Sequence, residues 1–448
     1  FKQKTAYEIK ECDWSSDVCS SDLSSGPFLG LFALMIFSDY LFALLIQKKS
    51  GTTKKLLLWL SLSYSLSFLL YFKYANFFIH NLNAFFGTQF TDHNLFLPIG
   101  ISFYTFQSIS YLMDVYRNEI PASKNVSDYA FYMTFFPHLV AGPIVRAKDF
   151  LPQIVSPQPI NAALYKESLL RIMSGLLKKL FIADYIGKYV DIVHELPQNF
   201  SGAENLLAMY GYSFQIYFDF SGYSDIAIGI ALMLGYRLKE NFDNPYTSTN
   251  VTVFWRKWHI SLSSWLKDYI YIPLGGNRKG EFNTYVFLLI TMLVGGFWHG
   301  ADWRFVFWGL AHGLALAFHK AWKQLFPKEN HNPWIQIFSV AITFHFVAFC
   351  WIFFRASSFG SAFASIEQIV FHTKWQDFTG FWVSRSEMGI LLIVAAIIAF
   401  FPPKIKEKLF QEIQILPTFT WILWMTIALQ IIIQFKDDVV QPFIYFQF

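Results

Sequence analysis

Charge is scarce in this chain: only 15% of its 448 residues are Asp, Glu, Lys or Arg, against about 25% in an ordinary soluble domain. That excludes a molecule whose surface mostly faces water and points to lipid as its main solvent. The net charge of +4 is small for this length, and the basic residues fall in loops instead of one stripe, which argues against nucleic-acid binding. Cysteine is nearly absent, with three residues, of which Cys350 lies in an apolar run and reads as a small core residue. The histidines that stand out, His138, His259, His299 and His312, show no His-x-x-x-His spacing, so no metal site is expected. No repeat or low-complexity tract divides the chain, and residues 24–448 read as one multi-helix domain.

What is abundant is apolar and aromatic. Hydrophobic residues make up 54% of the chain, with 52 Phe, 23 Tyr and 15 Trp, a composition suited to bilayer interfaces and a packed aromatic interior. A spanning helix needs about 20 mostly apolar residues. The candidates are 28–46, 56–72, 96–113, 129–144, 169–193, 206–234, 284–298, 305–318, 334–354, 388–401 and 416–435. Pro98, Pro137, Pro143 and paired glycines interrupt several of them, so broken or re-entrant helices are expected there. Lys48, Lys49, Lys54 and Lys55 cluster in one short loop, and Lys404, Lys406 and Lys408 in another. Both loops are expected to be cytoplasmic, as is Arg256 to Lys279, with the Asp437-Asp438 tail outside. Two cytoplasmic loops at those positions require at least one candidate not to cross, and the proline-broken 129–144 is the expected one.

Residues 13–23, Asp-Trp-Ser-Ser-Asp-Val-Cys-Ser-Ser-Asp-Leu, read as the translation of a DNA sequencing adapter. The expectation is that 1–23 are not native protein and that early spans are missing from the frame. Resequencing the genomic locus decides it.

His299 is the most informative residue. It sits in Leu288-Leu-Ile-Thr-Met-Leu-Val-Gly-Gly-Phe-Trp-His-Gly-Ala301, where it is the one ionisable group. Such a group in lipid usually faces a bundle interior or a water-filled cavity. Gly295, Gly296 and Gly300 strip bulk from its surroundings, and Trp298 and Trp303 look like a shaped cavity wall. An uncharged imidazole midway through the bilayer would be ready to accept a proton; the plainer alternative is a buried ring bonding helix carbonyls. Asp302, three residues on, would share a helix face with His299 and orient it, or else serve as a helix-end carboxylate. His259, in Phe254-Trp-Arg-Lys-Trp-His-Ile-Ser-Leu-Ser-Ser-Trp265, is either a second active-site histidine or an interfacial anchor. Trp255, Trp258, Leu262 and Trp265 form an apolar stripe there, the pattern of a helix lying at headgroup depth. His312 reads as a helix–helix hydrogen-bonding group and His138 as support for a re-entrant turn. Asp219 and Asp225 are carboxylates in an apolar region that need partners, with Arg237, Arg256 and Lys257 as candidates.

Taken together, Leu97-Pro-Ile-Gly-Ile-Ser-Phe-Tyr-Thr-Phe106, Phe136-Pro-His-Leu-Val-Ala-Gly-Pro-Ile144, Gln215-Ile-Tyr-Phe-Asp-Phe-Ser-Gly-Tyr-Ser-Asp225, the His259 motif, Leu274-Gly-Gly-Asn-Arg278 and Gly295-Gly-Phe-Trp-His-Gly-Ala301 resemble the membrane-bound O-acyltransferase (MBOAT) family. The likeness runs from Phe28 to the terminal Phe443–Phe448 stretch and is closest to the bacterial branch that acetylates alginate and transfers D-alanine to teichoic acids. The resemblance implies an all-α polytopic protein, a ring of about ten to twelve tilted, partly broken helices around a central tunnel, with interfacial amphipathic helices. It implies that His299 is catalytic and that His259 is the other recurrent histidine. Trp298, Trp303, Asp302, His312, Asp219 and Asp225 would line or support the tunnel. Acetyl-CoA would be the donor substrate, with no permanently bound cofactor; Arg256, Lys257, Lys267 and Arg278 would hold its phosphates. The partners implied are membrane lipid, an extracytoplasmic SGNH-type acetyltransferase and a polysaccharide acceptor, and the location is the bacterial inner membrane. The rival expectations are a transporter or flippase of an envelope precursor with His299 as proton relay, and a catalytically idle scaffold.

Overall fold

The computed structural model describes residues 26–93, 95, 97–139, 142–327, 332–435 and 441–444. The adapter-like stretch 1–23, the Asp437-Asp438 pair, the first position of the candidate span 96–113, and positions 140, 141 and 445–448 of the resemblance motifs lie outside the described residues. The described residues divide into two compact units, one within 26–159 with 441–444 and the other within 160–435. Among the described residues there is helix and no strand.

The first unit holds α1 (Gly26–Lys48), α2 (Gly51–Leu69), α3 (Ala75–Phe86), α4 (Ile101–Tyr116), α5 (Val126–Thr134), α6 (Phe136–Leu139) and α7 (Ala147–Val155). A π-helical turn, Leu70–Tyr74, joins α2 to α3. Helices α1, α2 and α4 pack against one another around a carboxylate that the sequence reading passed over, Asp39. A buried carboxylate must find donors; here Tyr129 Oη donates to Asp39 Oδ2 at 3.2 Å and Ser65 Oγ to Oδ1 at 3.4 Å. The proline-interrupted segment breaks as expected, since α5 stops at Thr134 and α6 is one turn long. His138, buried, donates from Nε2 to Tyr132 O at 3.1 Å across that break.

The second unit begins with α8 (Ala162–Leu176), a π-helical stretch Leu177–Ala183, α9 (Asp184–Glu195) and α10 (Gly202–Met233). It continues through α11 (Val251–Lys257), α12 (Ile260–Leu266), α13 (Ile272–Leu274), α14 (Glu281–His299), α15 (Trp303–Leu325) and α16 (Pro333–Arg355). It closes with α17 (Phe359–Phe371), α18 (Trp375–Ser384), α19 (Ser386–Ala399), α20 (Pro403–Ile415) and α21 (Thr418–Phe435). The 32-residue α10 starts at a capping box in which Ser201 and Glu204 satisfy each other's backbone N–H. It lies close against α8 because Gly175, Gly222 and Gly229 bring backbones together: a Cβ on Gly175 would stand 2.5 Å from Gly222 O.

This proximity decides how the α10 carboxylates are neutralised. Asp219 Oδ1 receives Lys179 Nζ at 2.6 Å, and the same ammonium reaches Asp184 at 2.7 Å. Asp225 receives Lys178 at 2.5 Å and Arg171 at 3.1 Å. The expected partners are therefore corrected. Arg237 reaches Glu167 at 3.9 Å and Lys257 reaches Asp243 at 3.8 Å, while cations on α8 and the following π-helical stretch, packed directly on α10, take both aspartates.

Among the described residues four helices are long and apolar enough to cross a membrane, Phe28–Lys48, Gly51–Phe86, Glu281–His299 and Pro333–Arg355. A fifth is made if α18 and α19, bent by 104° at Arg385, count as one broken span. The remaining candidate stretches form shorter, broken or more polar helices. Wide apolar exposure on α16, with Trp334, Ile337, Phe338 and Ile342 all exposed, is what a lipid-facing helix presents. The chain is a multi-pass membrane protein. One expectation is overturned: the Trp255–Trp265 stripe is not a single helix at headgroup depth. It breaks into α11 and α12 at Trp258 and His259, and Trp255, Trp258, Leu262 and Trp265 are all buried within the protein.

Candidate active site

Helix α14 ends at His299 because Gly300 takes extended backbone, and the next helix starts at Asp302, whose carboxylate accepts the Arg304 N–H at 2.8 Å. That cap corrects the expectation for Asp302. It shares no helical face with His299 and is engaged with the Arg304 guanidinium at 2.9 and 3.0 Å. The α14–α15 hairpin is packed backbone to backbone: a Cβ on Gly296 would lie 2.3 Å from Phe305 O, and one on Gly309 would lie 2.4 Å from Met292 O. Close backbone contact of this kind is what small residues allow in membrane helices.

The hairpin sets His299 in an aromatic cage. Its ring centroid lies 5.0 Å from Trp298, 5.2 Å from Trp308 and 5.1 Å from Phe354, all edge to face. Trp303, expected in the wall, is instead exposed on the first turn of α15. Trp308 continues the chain of rings, 4.8 Å from His312, which accepts the Trp255 indole N–H on Nδ1 at 3.3 Å. His312 thus bridges α15 to α11 and, as a neutral ring, carries its proton on Nε2. Trp298 lies 6.3 Å from the ring of His259, itself 4.6 Å from Phe220 on α10. The three histidines are therefore strung on two tryptophans in the order His259, Trp298, His299, Trp308, His312. Of the three, His299 is the least sealed, 8% exposed against 1% and 0% for His259 and His312.

His259 sits at the α11–α12 break in left-handed backbone, φ +42°, a region sparsely populated by non-glycine residues. Residues 241–243 hold it there by strand-like pairing, with Ile260 N donating to Asn241 O at 2.9 Å and Asp243 N to Lys257 O at 3.0 Å. The Asn241 side chain faces the ring, 3.1 Å from Oδ1 to Nδ1. Burial pushes the His259 imidazole down to about 3, so it is neutral throughout the physiological range. Asn241 escaped the sequence reading.

The four expected phosphate-binding cations divide. Arg256, Lys267 and Arg278 are exposed, whereas Lys257 is half-buried beside Asp243. The sequence reading also missed cations on the last turns of α15. Lys320 Nζ donates to Asn277 Oδ1 at 3.1 Å, beside Arg278, and Lys323 and Arg256 both flank His319. Gln324 bonds Glu281 at 3.1 Å, tying that end of α15 to the start of α14. A basic rim therefore borders the end of α14 opposite His299, about 27 Å away at 1.5 Å per residue. Phe305, Trp308, His312, Leu316 and His319 occupy one face of α15 between the two ends. Among the described residues no group of His, Cys, Asp and Glu is arranged to hold a metal ion.

Among the described residues the chain is helical, and a caged histidine ends one of its membrane-length helices. Residues 50–365 match the family model of MBOAT, the membrane-bound O-acyltransferase family, and the chain belongs to that family. It is similar to a probable alginate O-acetylase AlgI of Pseudomonas putida, at 42% identity over 384 residues, 84% of this chain and 78% of the relative. It is also similar to a peptidoglycan O-acetyltransferase of Helicobacter pylori, at 39% over 370 residues, covering 77% and 70%. The teichoic acid D-alanyltransferase of Bacillus subtilis is a more distant relative, 31% identical over 283 residues, 60% of this chain and 71% of that one. The protein is an O-acyltransferase.

Proposed function

We propose that this protein moves acetyl groups from cytoplasmic acetyl-CoA, across the bacterial inner membrane, onto hydroxyls of an exported glycan such as alginate or peptidoglycan. One observation carries the reading: His299, caged by three aromatic rings, ends a membrane-length helix whose other end is bordered by the Arg256, Arg278, Lys320 and Lys323 rim. Phosphates cannot enter hydrocarbon, so the nucleotide of a CoA thioester stays at such a rim while its uncharged arm passes inward. His299 takes the proton of the acceptor hydroxyl as that oxygen attacks the thioester carbonyl. A C–O bond forms, the C–S bond breaks, and the proton returns to the departing thiolate. Base help of this kind is worth about 10²–10⁴ in rate. An extracytoplasmic SGNH-type partner completes delivery to the polymer.

Membranes containing the protein, given acetyl-labelled acetyl-CoA, are expected to label a glycan or partner, and His299→Ala to remain inserted but transfer nothing. Full label transfer by that variant overturns the reading. Proton-driven flux of a sugar or lipid without label supports a transporter instead.

A further inference from the structure

The chemistry around His259 has an unambiguous starting point, the backbone N–H of Ser261. It donates to the Asn241 side chain at 3.2 Å, and a backbone N–H can only donate. The Asn241 atom facing it is therefore the carbonyl oxygen, not the amide nitrogen. The Ser261 hydroxyl donates to that same oxygen at 2.8 Å, and the amide nitrogen points the other way, donating to Ser224 Oγ on α10 at 3.3 Å. An amide flip is excluded, because it would aim an N–H at the N–H of Ser261. His259 Nδ1, 3.1 Å from this oxygen, must then be the protonated nitrogen of the neutral ring, and Nε2 carries the lone pair.

We propose that Asn241 is a positioning residue that fixes His259 in its Nδ1–H tautomer, so that Nε2 is the basic atom His259 presents to the reacting groups. The inference rests on the acetyl-transfer reading above and adds to it a defined role for the second histidine. The arrangement parallels the carboxylate that holds a catalytic histidine's tautomer in hydrolase triads, with an amide in place of the charge. The substitution of amide for carboxylate has a physical consequence. A carboxylate beside the ring would favour the imidazolium, whereas the neutral amide holds the tautomer without raising the ring's affinity for a proton. The groups facing the ring agree with this: Asn241 and Ser261 beside it, Phe220 from α10 and Trp298 from α14 carry no charge.

The test compares Asn241→Asp, Asn241→Ala and His259→Ala with the unaltered protein in membranes, following label transfer from acetyl-CoA against pH. Asn241→Asp keeps shape and acceptor but adds charge. Its acidic limb is expected to move upward by about one pH unit or more, while the unaltered protein keeps its rate to lower pH. Asn241→Ala is expected to lower kcat by about 10²-fold with KM changed less than about twofold. A pH profile of Asn241→Asp superposing on the original, with His259→Ala inactive, overturns the positioning role and leaves the acetyl-transfer reading intact. Full transfer by His259→Ala overturns this inference alone, and full transfer by His299→Ala overturns that reading and this inference with it. Because Asn241→Asp is isosteric, its profile decides the matter even where the alanine variant fails to fold.

Discussion

Trp308 stands between His299 and His312, 5.2 Å from one ring and 4.8 Å from the other. It also touches Trp255, Trp351 and Phe354 and is almost wholly buried. Trp308→Ala is expected to cost about 3–5 kcal/mol of stability and to abolish transfer. Trp308→Phe keeps most of the packing and is expected to retain fold and partial activity. Thermal unfolding in detergent, alongside label transfer, checks both.

The glycine contacts of the α14–α15 hairpin give a sharper comparison. Gly296→Ala must drive a methyl into Phe305 O, whereas a Cβ on Gly380 of α18 meets nothing within 4 Å. Gly380→Ala is expected to be neutral or slightly stabilising, and Gly296→Ala to lower the melting temperature and the rate together. Equal melting temperatures for the two variants would refute the close-contact account.

The basic rim predicts a separation of constants. Arg256→Ala and Lys320→Ala are expected to raise KM for acetyl-CoA while kcat stays unchanged, as removal of binding shared by ground and transition states requires. The effect should shrink as salt is raised, since exposed charges are screened over about 10 Å at 0.1 M. A fall in kcat at unchanged KM would place these residues elsewhere in the reaction.

His259 predicts the pH dependence of folding. Its ring is held near 3 by burial, below the ordinary histidine value of about 6.5. Between those two values the unfolded chain binds a proton that the folded chain refuses, so stability falls as pH drops through this window. The slope from this one group is up to about 1.4 kcal/mol per pH unit. His259→Asn, which tolerates the left-handed backbone, should flatten that part of the curve. Melting temperatures at pH 7 and pH 5 for the two proteins measure the difference.

Much of this was legible in the primary sequence, for physical reasons. Low charge and long apolar runs identify the solvent, and Pro137 places the break before His138. A lone titratable ring among glycines marks His299. What escaped depends on neighbours far apart in the chain. Asn241 meets His259 through strand-like pairing across 18 positions, which no periodicity announces. The left-handed backbone at His259 has no glycine to signal it, so the tryptophan stripe read as one continuous helix. The cations for Asp219 and Asp225 come from whichever helix packs on α10, and only the glycine contacts with α8 reveal which one that is. Lys320 reaches Asn277, beside Arg278, only through the α14–α15 hairpin, 43 positions away in the chain.

The fit of α14 against α15 also governs access to the imidazole. Where carbonyl oxygens and α-carbons already touch, no rotamer change can make room, so the two helices must travel as one body. Of the three rings around His299, Trp298 and Trp308 belong to the hairpin and Phe354 comes from α16, so a shift of α16 changes the cage where a shift within the hairpin cannot.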